Sequence, residues 1–190
     1  PLCRYNHQTL DLVLDYQREY NVETSKISSI LIHMPTYGVQ LCGSPIELKR
    51  NPKSPVDAQF SGCFAVALAL TEQRADMTTF TGALDRGLSD EFKRLMSITN
   101  IEQADDLDAI HPEFWPGRVK MIIDGDEVEL YGKHMRGERE RPMTIEEVQD
   151  KFRDLSPKHD EKNRKEVFDA IDNLENASID DLLTPLRKTS

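Results

Sequence analysis

Apolar residues recur along the first part of the chain at two different periods. Leu10, Val13, Leu14 and Tyr16 fall at the three-and-four spacing of an amphipathic helix, predicted from about Gln8 to Tyr20. Lys26–Met34 then concentrates the strand formers Ile27, Ile30, Leu31 and Ile32, and Pro35 ends the run, so a strand is predicted there. Thr36–Lys53, rich in Gly, Pro and polar residues, reads as a loop with a short helical turn near Pro45–Leu48.

Ser54 has the chemistry of a helix N-cap, with Pro55 at the first helical position and Asp57 in the first turn. The helix that it opens is predicted to run on through Phe60, Gly62 and the apolar run Cys63–Leu70. Apolar on nearly all sides, such a helix is buried all round, and its small residues admit close neighbours. Arg74–Leu88 shows no period and is predicted irregular. Ser89 caps a short helix through Met96, and Ile98–Glu102 reads as a strand. Arg118–Ile123 and Glu127–His134 flank Asp124-Gly125, a strong hairpin signal.

Pro142 and Thr144 start a further helix, with Thr144 and Glu147 in capping-box register, and Glu161–Leu174 and Ser178–Leu186 read as two more. No internal repeat is visible. The pattern is α+β: a small antiparallel sheet with one buried helix over residues 1–143, then a helical tail over 144–190. The tail's apolar stripes (Val148, Phe152, Leu155; Val167, Phe168, Ile171, Leu174) are thin. They suit packing on the α+β part or docking on something larger, and the pattern does not choose.

Composition narrows the partners. With 190 residues the chain can bury a real core, and a mean hydropathy of −0.57 suits a soluble protein. The longest apolar run, Cys63–Leu70, falls far short of the ~20 residues of a membrane span. No signal peptide is visible, so the cytoplasm is the expected location. Pro1 rather than Met opens the chain, and an upstream segment is expected. A formal charge of −10 disfavours nucleic acid, which needs clustered Lys and Arg. The acidic Glu102–Asp108 stretch reads as a solvated face. Cys3, Cys42 and Cys63 are too few and too far apart for a disulfide framework or a structural zinc site.

No self-contained catalytic motif appears: no Ser-centred glycine elbow, no phosphate loop and no His-x-x-x-His pair. His33, His111, His134 and His159 are isolated from one another, and structural roles are expected for them. His7 differs, because it stands at a helix start beside Arg4 and Tyr5. Such a His exchanges protons near neutral pH and as a cation holds a carboxylate. The plainer reading is a side chain satisfying backbone groups. The start of the buried helix is a second candidate, its free N–H groups suited to an anion, with Lys49, Arg50 and Lys53 before it. Those cations also suit a solvated loop.

Taken in order, the segments resemble the C-terminal half of the MmgE/PrpD family. Pro1 and His7 fit the spacing that opens its lid domain. Asn51-Pro52-Lys53, Asp57-Ala58-Gln59-Phe60-Ser61 and Val66-Ala67-Leu68-Ala69-Leu70 are similar to the family's next motifs. His111-Pro112, Trp115-Pro116, Val119, Asp124-Gly125, then Gly137, Arg141-Pro142-Met143-Thr144, Glu147 and Lys151-Phe152 continue the order.

The resemblance implies an α+β lid over 1–143, inserted in an all-helical domain to which the helices after Thr144 return. Its main body, an N-terminal helical half, lies outside this chain. It implies a cytoplasmic homodimer whose chemistry is elimination, decarboxylation or epimerisation of a small polycarboxylate such as 2-methylcitrate, without metal or organic cofactor. It makes His7 a proton-transfer or carboxylate-binding candidate and sets the Phe60-Ser61 segment beside the cleft; Arg4, Lys53, Ser61 and Phe64 are taken as the substrate-binding candidates. Phe64 stands where family members often carry Tyr, and the lost hydroxyl argues against the family's usual dehydratase or decarboxylase activity. The alternative is a divergent, non-catalytic binding or assembly module of the same fold.

Overall fold

In the computed structural model, which describes residues 1–187, a 3-10 turn at Arg4–Asn6 leads into α1, His7–Tyr20. Leu10, Val13 and Leu14 are buried as the stripe requires, and so are the polar Thr9 and Gln17. Both are satisfied internally. Thr9 Oγ1 donates to the Asn6 carbonyl at 3.0 Å, and the Gln17 amide exchanges two bonds with the backbone of Val22. Burial of these groups is therefore cheap.

The strand β1, Ile27–Met34, follows. Thr36–Gly43, expected as loop, is helical instead: α2, Thr36–Gly38, runs into a π-helical turn at Val39–Gly43. The cause is distant. Asp108 accepts from the Thr36 N–H at 2.7 Å and from its hydroxyl at 2.6 Å, capping the turn from across the fold. Those bonds hold the Asp108 carboxyl below its ordinary pKa. At least one member of the acidic stretch is thus a structural acceptor rather than part of a solvated face.

A short α3, Ile46–Lys49, lies where a turn was expected. The long helix expected from Ser54 to Leu70 is two helices, α4 (Pro55–Gln59) and α5 (Gly62–Glu72). Ser54 caps the first, as the sequence suggests. Ser61 breaks the run, turning extended and capping α5 through a 3.0 Å bond from the Phe64 N–H. Arg74–Leu88, expected irregular, contains α6, Met77–Arg86, which Asp76 caps and whose Phe80 and Ala83 enter the core. Its three threonines and Gly82 are weak helix formers, so burial rather than propensity makes it. Then come α7 (Asp90–Ile98, capped by Ser89), β2 (Thr99–Gln103), α8 (Asp105–Asp108), β3 (Gly117–Ile123) and β4 (Asp126–Gly132).

One four-stranded sheet results, in the order β2-β1-β3-β4. The α+β class holds, but the sheet is mixed rather than antiparallel, because β2 runs parallel to β1. Helices α2 to α7 intervene between those strands and carry the chain back to β1 in the same sense, which a hairpin cannot do. The β3–β4 hairpin is as expected, with Asp124 (φ 54°) and Gly125 (φ 94°) both left-handed. One sheet face takes α1, α5 and α7, burying Ile30, Ile32, Met34, Val119 and Met121 against α5 and its neighbours. The other face is polar: His33, Arg118 and Tyr131 stand in register, as do Lys120 and Glu129. Burial and the neighbouring Arg118 lower the pKa of His33 there.

Met143 ends the first compact unit and Thr144 begins the second. Within the second, α9 (Ile145–Leu155) has the Thr144–Glu147 capping box, and α10 (Glu161–Asp172) packs with α11 (Ile179–Arg187). The Phe152 and Phe168 rings meet at 5.3 Å. No residue of α9 is buried, and Ile145, Val148 and Leu155 are exposed. Among the described residues no helix is long and apolar enough to cross a membrane.

Candidate active site

The segment before α1 is pinned at several points. The Cys3 N–H donates to the Gln59 carbonyl at 2.9 Å, and Asn6 Nδ2 donates to the same oxygen at 3.3 Å. The N-terminal stretch and the α4–α5 junction, far apart in sequence, therefore meet. His7 opens α1 half-buried, with Nε2 3.0 Å from the Leu2 carbonyl. A carbonyl only accepts, so the bond requires a proton on Nε2, and the neutral ring then carries its lone pair on Nδ1.

One helical turn on, Asp11 interacts electrostatically with His7. Burial holds the Asp11 carboxyl above the usual carboxylate range, against the pull of the Arg136 N–H and the Arg141 guanidinium. Asp11 was not singled out from sequence. A His-x-x-x-Asp spacing on one helix face was the available signal.

Arg4 lies exposed on an aromatic shelf. Its guanidinium sits 4.3 Å over the Trp115 ring and 3.3 Å from Glu138. Tyr5 packs on Trp115 with ring centroids 4.8 Å apart, and its hydroxyl is 3.4 Å from His111 Nε2. Burial pushes the Tyr5 phenol up, so it stays protonated at neutral pH. Arg4, Tyr5, Pro35, Trp115 and Pro116 line a shallow hollow open to solvent, with no enclosed space for a ligand. These groups form a wall, not an enclosure.

The remaining candidates are placed differently. Ser61 is wholly buried, and its hydroxyl is committed twice, donating to the Lys49 carbonyl at 2.5 Å while capping Phe64. Phe64 is wholly buried, its ring 5.5 Å from Phe80 and 5.0 Å from Phe92. Lys53 is exposed, its backbone N–H donating to Asp57. Lys49 and Arg50 serve the backbone, bonding to the carbonyls of Leu41 and Thr99. The helix start expected to seat an anion is the Ser54 turn of α4: it is exposed, but Ser54 Oγ already accepts from the Asp57 N–H at 3.1 Å and the Asp57 carboxylate stands in the same turn. Burial raises the Cys42 thiol and pushes Cys63 up to about 12, so both remain protonated rather than nucleophilic.

The arrangement thus offers a half-buried imidazole of fixed tautomer and, nearby in sequence, an exposed guanidinium on an aromatic shelf. The family model described as the MmgE/PrpD C-terminal domain matches residues 1–176. The chain belongs to the MmgE/PrpD family. No curated protein matches it in sequence. As an MmgE/PrpD C-terminal domain, it holds His7 and Arg4 on its N-terminal segment and Phe64 in its core.

Proposed function

We propose that this chain supplies one wall of the cleft of an MmgE/PrpD-type lyase or epimerase acting on a small polycarboxylate by acid–base chemistry. The observation that carries the reading is His7: its bond to the Leu2 carbonyl fixes the tautomer, and Asp11 follows one turn later. In this mechanism Nδ1 of His7 takes or returns the proton next to a substrate carboxylate, and the exposed Arg4 holds another carboxylate. Lys53 is a peripheral cation. The opposite wall comes from a helical half of the same protein, and the working assembly is a cytoplasmic homodimer.

The test is turnover of 2-methylcitrate, aconitate and related acids by the full-length protein, with His7→Ala alongside. The expected loss in kcat is about 10²–10⁴-fold, the range of a lost general acid or base. Unchanged turnover on an accepted substrate would remove His7 from the mechanism. Arg4→Ala is expected to act mainly on KM.

Phe64 favours a second reading. Where relatives often place a tyrosine hydroxyl, this chain has a ring sealed in its core, which suits a non-catalytic binding or assembly module. Absence of turnover on every polycarboxylate, together with retained citrate binding, would favour that module.

A further inference from the structure

After β4 the chain folds back on itself around Gly137. The Gly137 N–H donates to the Arg141 carbonyl at 2.8 Å, and the Arg141 N–H donates to the Glu138 carbonyl at 3.0 Å. This turn gathers three side chains. His134 Nδ1 lies 3.5 Å from Glu138 Oε2 and 3.6 Å from Glu140 Oε2, and the three donor atoms all fall within 4.8 Å of one another. We propose that His134, Glu138 and Glu140 bind one divalent transition-metal ion of the Zn²⁺ class, with water completing its coordination.

Distance argues for the ion. The two separations exceed the ~2.7–3.2 Å of a hydrogen bond: they are ion-pair distances for a protonated ring and ligand-to-ligand distances for a neutral ring sharing an ion with the carboxylates. Donors about 2.0–2.1 Å from a tetrahedral ion stand roughly 3.3–3.4 Å from one another. The two His134 separations, 3.5 and 3.6 Å, lie close to that value, and the third lies within 4.8 Å.

The surroundings supply the orienting contacts such sites carry. Glu138 turns its other oxygen, Oε1, to Arg4 at 3.3 Å, while the His134 ring is held edge-on against Phe114, centroids 5.4 Å apart at 90°. Two carboxylates and one imidazole suit Zn²⁺, Mn²⁺ or Fe²⁺ better than Mg²⁺ or Ca²⁺, which prefer oxygen alone. The ion would anchor the turn that holds Arg4 over Trp115, and the acid–base chemistry proposed above does not pass through it. This site stands independently of that reading.

The rival is a protonated His134 placed between two carboxylates, and a metal titration separates the two. The chain, stripped with EDTA and dialysed, is titrated with ZnCl₂ by calorimetry and with CoCl₂ by visible absorption. One ion per chain is expected, with the visible bands of Co²⁺ bound to nitrogen and oxygen. His134→Ala and the isosteric Glu140→Gln should each weaken binding by about 10–100-fold or more, while His159→Ala, in the second unit, should leave it unchanged. Circular dichroism of each variant establishes that it folds, and Glu140, exposed, carries the test if His134→Ala does not. Failure of the wild-type chain to take up Zn²⁺ would overturn the proposal. So would uptake that a folded His134→Ala or Glu140→Gln variant retains in full.

Discussion

Replacing Phe64 by Tyr asks the sharpest question of this fold. The ring is wholly buried between Phe80 and Phe92, so the added hydroxyl enters an apolar layer. A buried hydroxyl left without a partner costs about 1–3 kcal/mol. For a chain of this size each kcal/mol lowers Tm by about 2–4 °C, so a fall of roughly 2–12 °C is expected. Trp115, the sole tryptophan, lies in the first unit, so its fluorescence during a thermal or urea melt follows that unit alone. An unchanged or raised Tm for Phe64→Tyr would refute the reasoning. It would mean that the hydroxyl reaches a partner or an opening, and the position would then belong to a cleft rather than to the core.

Three further outcomes are expected. The bidentate bond from Arg94 holds the Glu91 carboxyl at about 2, so its stabilisation is complete above the ordinary carboxylate range and is lost as pH falls through about 2. With Glu91 37% exposed the pair is partly screened, and Glu91→Gln should cost about 1 kcal/mol at neutral pH. Urea melts of both forms should converge below about pH 2, and a gap that persists there would contradict this account. At Gly43 an added Cβ would lie 2.7 Å from Ile101 Cγ2 and 3.1 Å from its Cβ, so Gly43→Ala should destabilise by about 1–3 kcal/mol, and an unchanged urea midpoint would count against it. In hydrogen exchange the α5 amides should be among the slowest and those of α9, which buries nothing, among the fast ones; equal protection would show that α9 is covered.

Which parts of this fold were legible follows from where each constraint sits. Ser54 with Asp57, Ser89, the Thr144–Glu147 box and the Asp124-Gly125 turn act within four residues of themselves, and the sequence displays all of them. The Thr36–Gly43 helical stretch depends on Asp108, 72 residues away, and a run containing two glycines gives no local hint of it. The direction of β2 depends on how six helices return the chain, which period alone does not encode. Ser61 shows the same limit. Its neighbours Gly62–Leu70 look like a continuation of the preceding helix, and only the Lys49 carbonyl and the close approach of Ile101 to Gly62 explain the break.

The candidate site divides along the same line. His7 and Arg4 were readable because they lie three residues apart beside a helix start, whereas Trp115 and Glu138 reach Arg4 only through the fold. That geometry changes what Arg4 is. With its side chain 53% exposed, its ion pair with Glu138 is worth about 0–1 kcal/mol and its stacking on Trp115 about 0.5–1. Such contacts aim the guanidinium without consuming it. A substrate carboxylate could displace Glu138 at a penalty of at most about fivefold in affinity while the ring contact persists. Phe114 and Glu138 also flank His134, so the turn that orients Arg4 is the one proposed to bind a metal ion. A rigid turn at residues 134–140 would keep the guanidinium pre-aimed, lowering the entropy that carboxylate capture must overcome.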